Sequence, residues 1–110
     1  MRGKARQGRK RPALSLVVPC FNEERSLDAI VGRFSQSKPC ENGYQLVLVD
    51  NGSADGTRER LARLCRSHAF VKSVRVGKNI GYGFGIMSGL READGEFLGW
   101  THADLQCDLL

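Results

Sequence analysis

The sequence has little of several things that would settle its class at once. In 110 residues it has one tryptophan, two tyrosines and three prolines. No apolar run approaches the ~18 consecutive residues of a membrane-spanning helix, so no span is expected. The amino terminus has no apolar stretch, so no secretory signal is expected there. No C-x-x-C spacing occurs among Cys20, Cys40, Cys65 and Cys107, which argues against a zinc knuckle or a dithiol redox pair. The even cysteine count would allow two disulfides. Valine, leucine and isoleucine nevertheless suffice for an ordinary core, and reduced thiols in a cytoplasmic protein are the favoured reading. There is no Walker A sequence. The body offers neither a basic stripe nor stacking aromatics in an RNA-binding pattern, so no nucleic acid partner is expected.

Acid is missing from the first twelve residues. They hold Arg2, Lys4, Arg6, Arg9, Lys10 and Arg11 and no carboxylate. The formal net charge of +5 is therefore local, because the rest of the chain carries eleven basic and twelve acidic residues. A tail over 1–12 so poor in apolar residues is expected to be disordered. A solvated leader is favoured over an arm that touches anionic lipid or nucleic acid. Residues 13–110 then read as one domain, near the commonest domain size.

The pattern within 13–110 alternates. Leu14-Ser-Leu-Val-Val18 reads as a buried strand ended by Pro19. Asn22 is a plausible cap for a helix whose Leu27, Ile30, Val31 and Phe34 form one stripe. Residues 38–43 read as a loop from their Pro, Asn and Gly content. Gln45–Val49 is a second buried strand. A helix from Asp55 puts Leu61, Leu64, Cys65 and His68 on one face. Val71, Val74 and Val76 mark a third strand, and a third helix runs from near Gly83 to Ala93 with Gly95 as its stop. Glu96–Thr101 is the fourth strand, buried in appearance, and it runs into the acidic turn that ends the chain. The order βαβαβαβ implies an α/β, Rossmann-like, mostly parallel sheet. A sheet that ends at its fourth strand also leaves an edge and one face partly uncovered.

Ligands of open parallel sheets bind beyond the carboxyl ends of the strands. Four polar or glycine-rich segments fall there: Pro19 to Glu24, Asp50 to Asp55, Lys78 to Gly83, and His102 to Asp108. Each alone has a plain explanation. Pro19-x-x-Asn22-Glu23 serves equally as a strand stop and helix cap. Asp50-Asn-Gly-Ser-x-Asp-Gly-Thr57 is rich in turn formers, yet two glycines around two acids exceed what one β-turn needs. Asn79-x-Gly81-x-Gly83-x-Gly85 looks like a phosphate cradle, or else its glycines let the helix pack closely on the sheet. It fails the dinucleotide fingerprint, since Ile86 stands where the last glycine belongs. Lys78 and Arg75 are candidates to meet diphosphate charge, or are simply solvated.

In this order and spacing the segments resemble the nucleotide-binding half of a family 2 glycosyltransferase, most like the polyprenyl-phosphate (dolichol-phosphate mannose synthase-like) branch. The resemblance spans about Leu14 to Asp108. It implies the amino-terminal half of a GT-A fold, with 13–110 as its nucleotide-sugar-binding part, truncated after the metal motif. It implies substrate binding by Pro19, Phe21, Asn22, Glu23, Asp50, Asn51, Ser53, Lys78, Asn79, Gly81, Gly83, Ala103 and Asp104. The family usually has aspartate where this chain has Asn51. His102-Ala-Asp104 stands where relatives carry Asp-x-Asp, whose last carboxylate holds a divalent metal bridging the diphosphate. Asp104 is thus the implied ligand of Mg²⁺ or Mn²⁺, which favour oxygen donors. His102 is expected to be a structural residue rather than a ligand.

The function so implied is transfer of a sugar from a nucleoside diphosphate to an acceptor such as a polyprenyl phosphate, at the inner face of a membrane, in cell-envelope glycan synthesis. No residue is assignable as the catalytic base: Glu23, Asp50 and Asp55 are better placed for the nucleotide. The resembled enzymes draw the acceptor pocket from sequence after the metal motif, so this chain alone is expected not to complete transfer. The alternative is a non-catalytic nucleotide-binding module or gene fragment.

Overall fold

The computed structural model describes residues 11–22, 24–77 and 81–101. The order is β1 (Leu14–Cys20), α1 (Leu27–Ser35), α2 (Pro39–Asn42), β2 (Tyr44–Asn51), α3 (Thr57–Ser67), β3 (Val71–Val76), α4 (Tyr82–Glu92) and β4 (Phe97–Trp100). Among the described residues the sheet has four strands in the order β3-β2-β1-β4, and every pairing is parallel. This is the α/β, Rossmann-like arrangement that the alternation predicts. The strand order reverses between β1 and β4. That gap is the switch point at which α/β sheets bind ligands.

Strand periodicity divides the core. Val18 and Cys20 of β1, Leu46 and Leu48 of β2 and Val71 of β3 face α1 and α3, where Leu27, Ile30, Val31, Phe34, Leu61 and Leu64 bury against them. The alternate residues Val17, Val47, Val49 and Val76 face the other way, with Leu90 of α4 and Ala93 against them. Helix α4 comes close because of its glycines. A Cβ on Gly89 would stand 2.6 Å from Val49 Cγ2 and closer still to Val17 Cγ1.

Several local expectations are corrected. β1 does not stop before Pro19 but runs through it to Cys20, with Pro19 opposite Val49. The neighbouring β4 pairs with β1 only as far as Val17. Val17 O accepts from Thr101 N at 3.0 Å, and Pro19 faces the same side two residues on. Its missing N–H therefore falls beyond the last β4 pairing, where proline is tolerated. Residues 39–42 form a short helix rather than loop. Asn22 does not cap α1, whose cap position is Ser26.

Gly95 is not the helix stop either. α4 ends at Glu92, capped by Ala93 in extended conformation, and Gly95 is needed elsewhere, because a Cβ there would lie 2.6 Å from Ser15 N. That close approach seats a polar knot, buried at Ser15 and open to solvent at Asp94. Gly95 N donates to Ser15 Oγ (2.8 Å), Ser15 Oγ to Gln45 Oε1 (2.6 Å), and Gln45 Nε2 to Asp94 Oδ2 (2.8 Å). The knot ties the α4–β4 turn to the amino ends of β1 and β2. The reading of β4 as buried is also overturned: Phe97 is 71% exposed, and Leu98 and Trp100 about half. The reason is position, since among the described residues β4 is the sheet edge, with β1 beside it.

Candidate functional site

Strands β1, β2 and β3 all deliver their carboxyl ends to one edge, and each carries a predicted segment there. At the end of β2, successive residues point to opposite faces, as the two-residue period demands. Asp50 turns to the α1/α3 face and is buried. Its Oδ1 accepts from Ser53 N at 3.0 Å, and its Oδ2 accepts from Arg75 NH1 at 3.0 Å. The parallel register places Asp50 directly opposite Arg75. The guanidinium is about 43% exposed and the carboxylate 2%, so Arg75 shows to solvent the charge that Asp50 balances from below. From sequence alone Arg75 reads as a partner for diphosphate or as solvated. Its pairing with Asp50 is legible solely through register, both residues coming one before the last of their strands.

Asn51 turns to the α4 face and is also buried. Its Nδ2 donates to Gly81 O at 3.3 Å. Gly81 has φ +145°, a conformation that favours glycine. Asn51 and Gly81 are thus brought together, whereas Asp50 and Asn51 diverge.

The loops after β1 and β2 are stapled to each other. Asn22 adopts φ +52°, which asparagine tolerates better than most residues. Its N–H donates to Ser53 Oγ (2.9 Å), and its Oδ1 accepts from Ala54 N (2.9 Å). Glu24 Oε1 accepts from Gly56 N at 3.1 Å. A Cβ on Gly56 would run into that carboxylate, 2.5 Å from Oε2. Asp55 accepts from both the N–H and the hydroxyl of Thr57, the first residue of α3. The Thr57 hydroxyl, and after it the N–H groups of Thr57 and Glu24, hold the Asp55 carboxyl below its ordinary value of 3.8, against some desolvation. Sequence reading misses the structural parts played by Glu24 and Gly56; the Asp55-x-Thr57 spacing is the available signal for the turn.

Of the remaining candidates, Pro19 is buried within β1 and Phe21 is 44% exposed just beyond it. Gly83 lies in the first turn of α4, where a Cβ would meet nothing within 4 Å. Glu23, Lys78, Asn79, Ala103, Asp104 and the neighbouring His102 lie outside the described residues. No cluster of three or more metal-ligating side chains occurs among the described residues. Among them, too, no helix is long and apolar enough to cross a membrane. Cys20, Cys40 and Cys65 form no disulfide among the described residues, and Cys107 lies outside them.

Comparison with known proteins agrees with this geometry. The undecaprenyl-phosphate 4-deoxy-4-formamido-L-arabinose transferase of Proteus mirabilis (strain HI4320) is 37% identical over 97 residues, covering 84% of this chain and 29% of that protein. Its namesake from Yersinia pestis (strain Pestoides F) is 30% identical over 95 residues, again 84% and 29%. The chain therefore spans less than a third of the length of these relatives. Among solved structures, the mannosyltransferase PcManGT from Pyrobaculum calidifontis, in complex with GDP-Man and Mn²⁺, matches with a TM-score of 0.75 at 26% identity, over 86% of this chain and 28% of that one. S. aureus TarS 1-349 in complex with UDP matches in fold, with a TM-score of 0.69 at 22% identity over 83% and 27%. The family model for glycosyl transferase family 2 matches residues 15–109. With nearly the whole chain inside that match, and with a parallel sheet whose polar loops gather at its carboxyl edge, this protein belongs to glycosyl transferase family 2.

Proposed function

We propose that this chain supplies the donor-binding part of a glycosyltransferase that moves a sugar from a nucleoside diphosphate to a polyprenyl phosphate at the cytoplasmic face of a membrane. The acceptor class follows the name of the curated relatives. A nucleoside-diphosphate donor follows from PcManGT, whose complex holds GDP-Man. The observation that carries the reading is the edge itself. The ion pair of buried Asp50 with Arg75, the stapled loops 21–24 and 52–57 and the glycine-led start of α4 stand together at the carboxyl edge of the sheet.

In this reading Asp50, with Ser53, Asn22 and Phe21, forms the nucleoside side of the site. Both Asp50 oxygens already accept one bond, and each retains a lone pair for a base or ribose donor. Arg75 adds an exposed cation, which suits the negative charge of the ligand. Lys78, Asn79, Gly81 and Gly83 form the diphosphate side, and Pro19, Glu23 and Ala103 complete the lining. Asp104 is the residue that would hold Mg²⁺ or Mn²⁺. It follows three residues after Thr101, which β1 fixes at the carboxyl edge through Val17 O, and a carboxylate is the donor that a hard cation prefers. When bound, such a cation offsets the charge that grows on the departing diphosphate.

The test is a titration of the purified chain with uridine and guanosine diphosphates, with and without Mn²⁺, followed by calorimetry or NMR. Binding that strengthens with Mn²⁺ supports the proposal. Binding indifferent to Mn²⁺ removes the metal, and no binding by folded protein removes the site. Asp104→Asn should abolish the increment that Mn²⁺ confers, while His102→Ala should leave most of it, because a neutral imidazole is the softer donor. The reverse order would reassign the ligand.

A further inference from the structure

The bond from Asn51 to Gly81 joins two elements that nothing in the local sequence obliges to meet. Asn51 is the last residue of β2, and Gly81 immediately precedes α4. Gly81 O serves two donors. It accepts from Gly85 N at 3.2 Å, the first helical bond of α4, and from Asn51 Nδ2 at 3.3 Å. The φ of +145° at Gly81 is a backbone conformation that side-chain-bearing residues rarely adopt. Gly85, one turn on, makes the room: a Cβ there would sit 3.1 Å from Asn51 Nδ2 and 3.2 Å from Cγ. So one glycine gives the carbonyl its backbone setting, another clears space for the side chain, and the amide fills that space with a donor. Farther along the same face, Gly89 sits against Val17 and Val49. The helix is thus held near the sheet by packing at Gly89 and by hydrogen bonding at its start.

The type of side chain matters here. A carboxylate of the same shape has no N–H to donate, and an ionised one would set a negative oxygen against the Gly81 carbonyl. The flanking residues on that face, Val49 and Val76, do not titrate. Asp50 and Arg75 lie across the sheet, on the other face. Among the described residues, then, no second titratable side chain shares this point of the face with residue 51.

We infer that Asn51 is a positioning residue: its amide latches the start of α4 to the carboxyl end of β2 and so sets the glycine-led segment that meets the diphosphate. The inference rests on the donor-site reading above, but half of it is measurable without a ligand. Removing the latch should weaken protection of the Gly85 amide, and nucleotide affinity with it, by about five- to ten-fold each, the size of one ordinary hydrogen bond in a buried setting.

The experiment uses ¹⁵N-labelled chain and two variants, Asn51→Asp and Asn51→Leu, with circular dichroism to confirm folding. Gly85 amide exchange is measured in the free protein, corrected for the intrinsic pH dependence of exchange. Affinity for uridine and guanosine diphosphates is measured with Mn²⁺. In the wild type, corrected protection of Gly85 should be flat between about pH 4 and 8, since an amide does not titrate. In Asn51→Asp it should be low when the carboxyl is ionised and return as the acid protonates, because a protonated carboxyl can again donate to Gly81 O. A role confined to filling space would show no such recovery. Asn51→Leu should lose protection and affinity at every pH.

Gly85 protection equal in all three folded proteins would overturn the latch. Affinity lost in Asn51→Asp but kept in Asn51→Leu would overturn it too, since added charge would then be the whole effect. Should Asn51→Leu fail to fold, the pH response of Asn51→Asp decides alone. A wild type that binds neither diphosphate, yet shows the Gly85 response, would support the latch and overturn the donor-site reading.

Discussion

Two glycine-to-alanine substitutions, each inside a helix, should change stability in opposite directions. Gly32 lies in α1, exposed, and a Cβ there meets nothing within 4 Å. Gly89 lies in α4, buried, and a Cβ there would meet Val49 Cγ2 at 2.6 Å and Val17 Cγ1 more closely. From propensity alone both changes should stabilise by about 0.5–1 kcal/mol, because glycine loses more backbone freedom on folding. Gly32→Ala should deliver that gain. At Gly89 it is opposed by overpacking, which costs about 1–3 kcal/mol in a filled core.

The upper half of that range applies at Gly89. Val17 and Val49 are fully buried, stand on adjacent central strands, and are stiff at χ1. Neither can swing aside, so the helix must lift off the sheet. The net expectation is destabilisation by about 1–2 kcal/mol, a fall in Tm of roughly 4–16 °C for a domain of this size. Urea unfolding followed by circular dichroism at equal protein concentration, with the m-value checked for constancy, measures both. If Gly89→Ala stabilised the chain as Gly32→Ala does, the close seating of α4 on β1 and β2 would be refuted, and with it the packing account of these glycines.

Gly83→Ala tests the other use of glycine: with no neighbour for its Cβ, it should leave stability unchanged or raise it by about 0.5 kcal/mol while weakening nucleoside diphosphate binding. Unchanged affinity would show that no ligand approaches that backbone. Arg75→Met strips the buried Asp50 of its cation and should destabilise by about 1–3 kcal/mol, less than for a fully buried pair because the guanidinium is half exposed. Adding Asp50→Asn should recover part of that loss in urea unfolding, and a double variant that behaves as the sum of the singles would deny the pairing. Asp55 has its folded pKa below 3.8, so its contribution to stability is present above the ordinary carboxylate range and is lost as pH falls through the lowered value. The stability difference between wild type and Asp55→Asn should therefore be constant above about pH 5 and shrink in the acid limb. A difference that grows on acidification would reverse the assignment.

By itself the sequence determined the order of the strands and of the three longer helices, because periods of 2.0 and 3.6 are written in neighbouring residues; the four-residue α2 is too short to show a period. Leu27, Ile30, Val31 and Phe34 read as one helical stripe, and they bury as one. The valines of β3 and the central runs of β1 and β2 read as strands and are strands. The four polar segments each follow an apolar strand run directly, so their place at strand ends is local information too, and their spacing carries the family. What the tertiary structure decided was which of those residues meet. Asp50 and Asn51 are adjacent in sequence yet serve opposite faces, because a strand alternates its side chains; their partners Arg75 and Gly81 come from β3 and the approach to α4, more than twenty residues away. Asn22 reads locally as a helix cap, but β1 and β2 lie in register and bring the loop at Ser53 and Ala54 within its reach. Pro19 reads as a strand stop and Gly95 as a helix stop. Only the position of β4 beside β1 shows that the first needs no N–H there and that the second must let Ser15 pass close to it. Periodicity is a local property of the chain, whereas strand order and register join residues far apart in it, and the candidate site is made from the second kind of information.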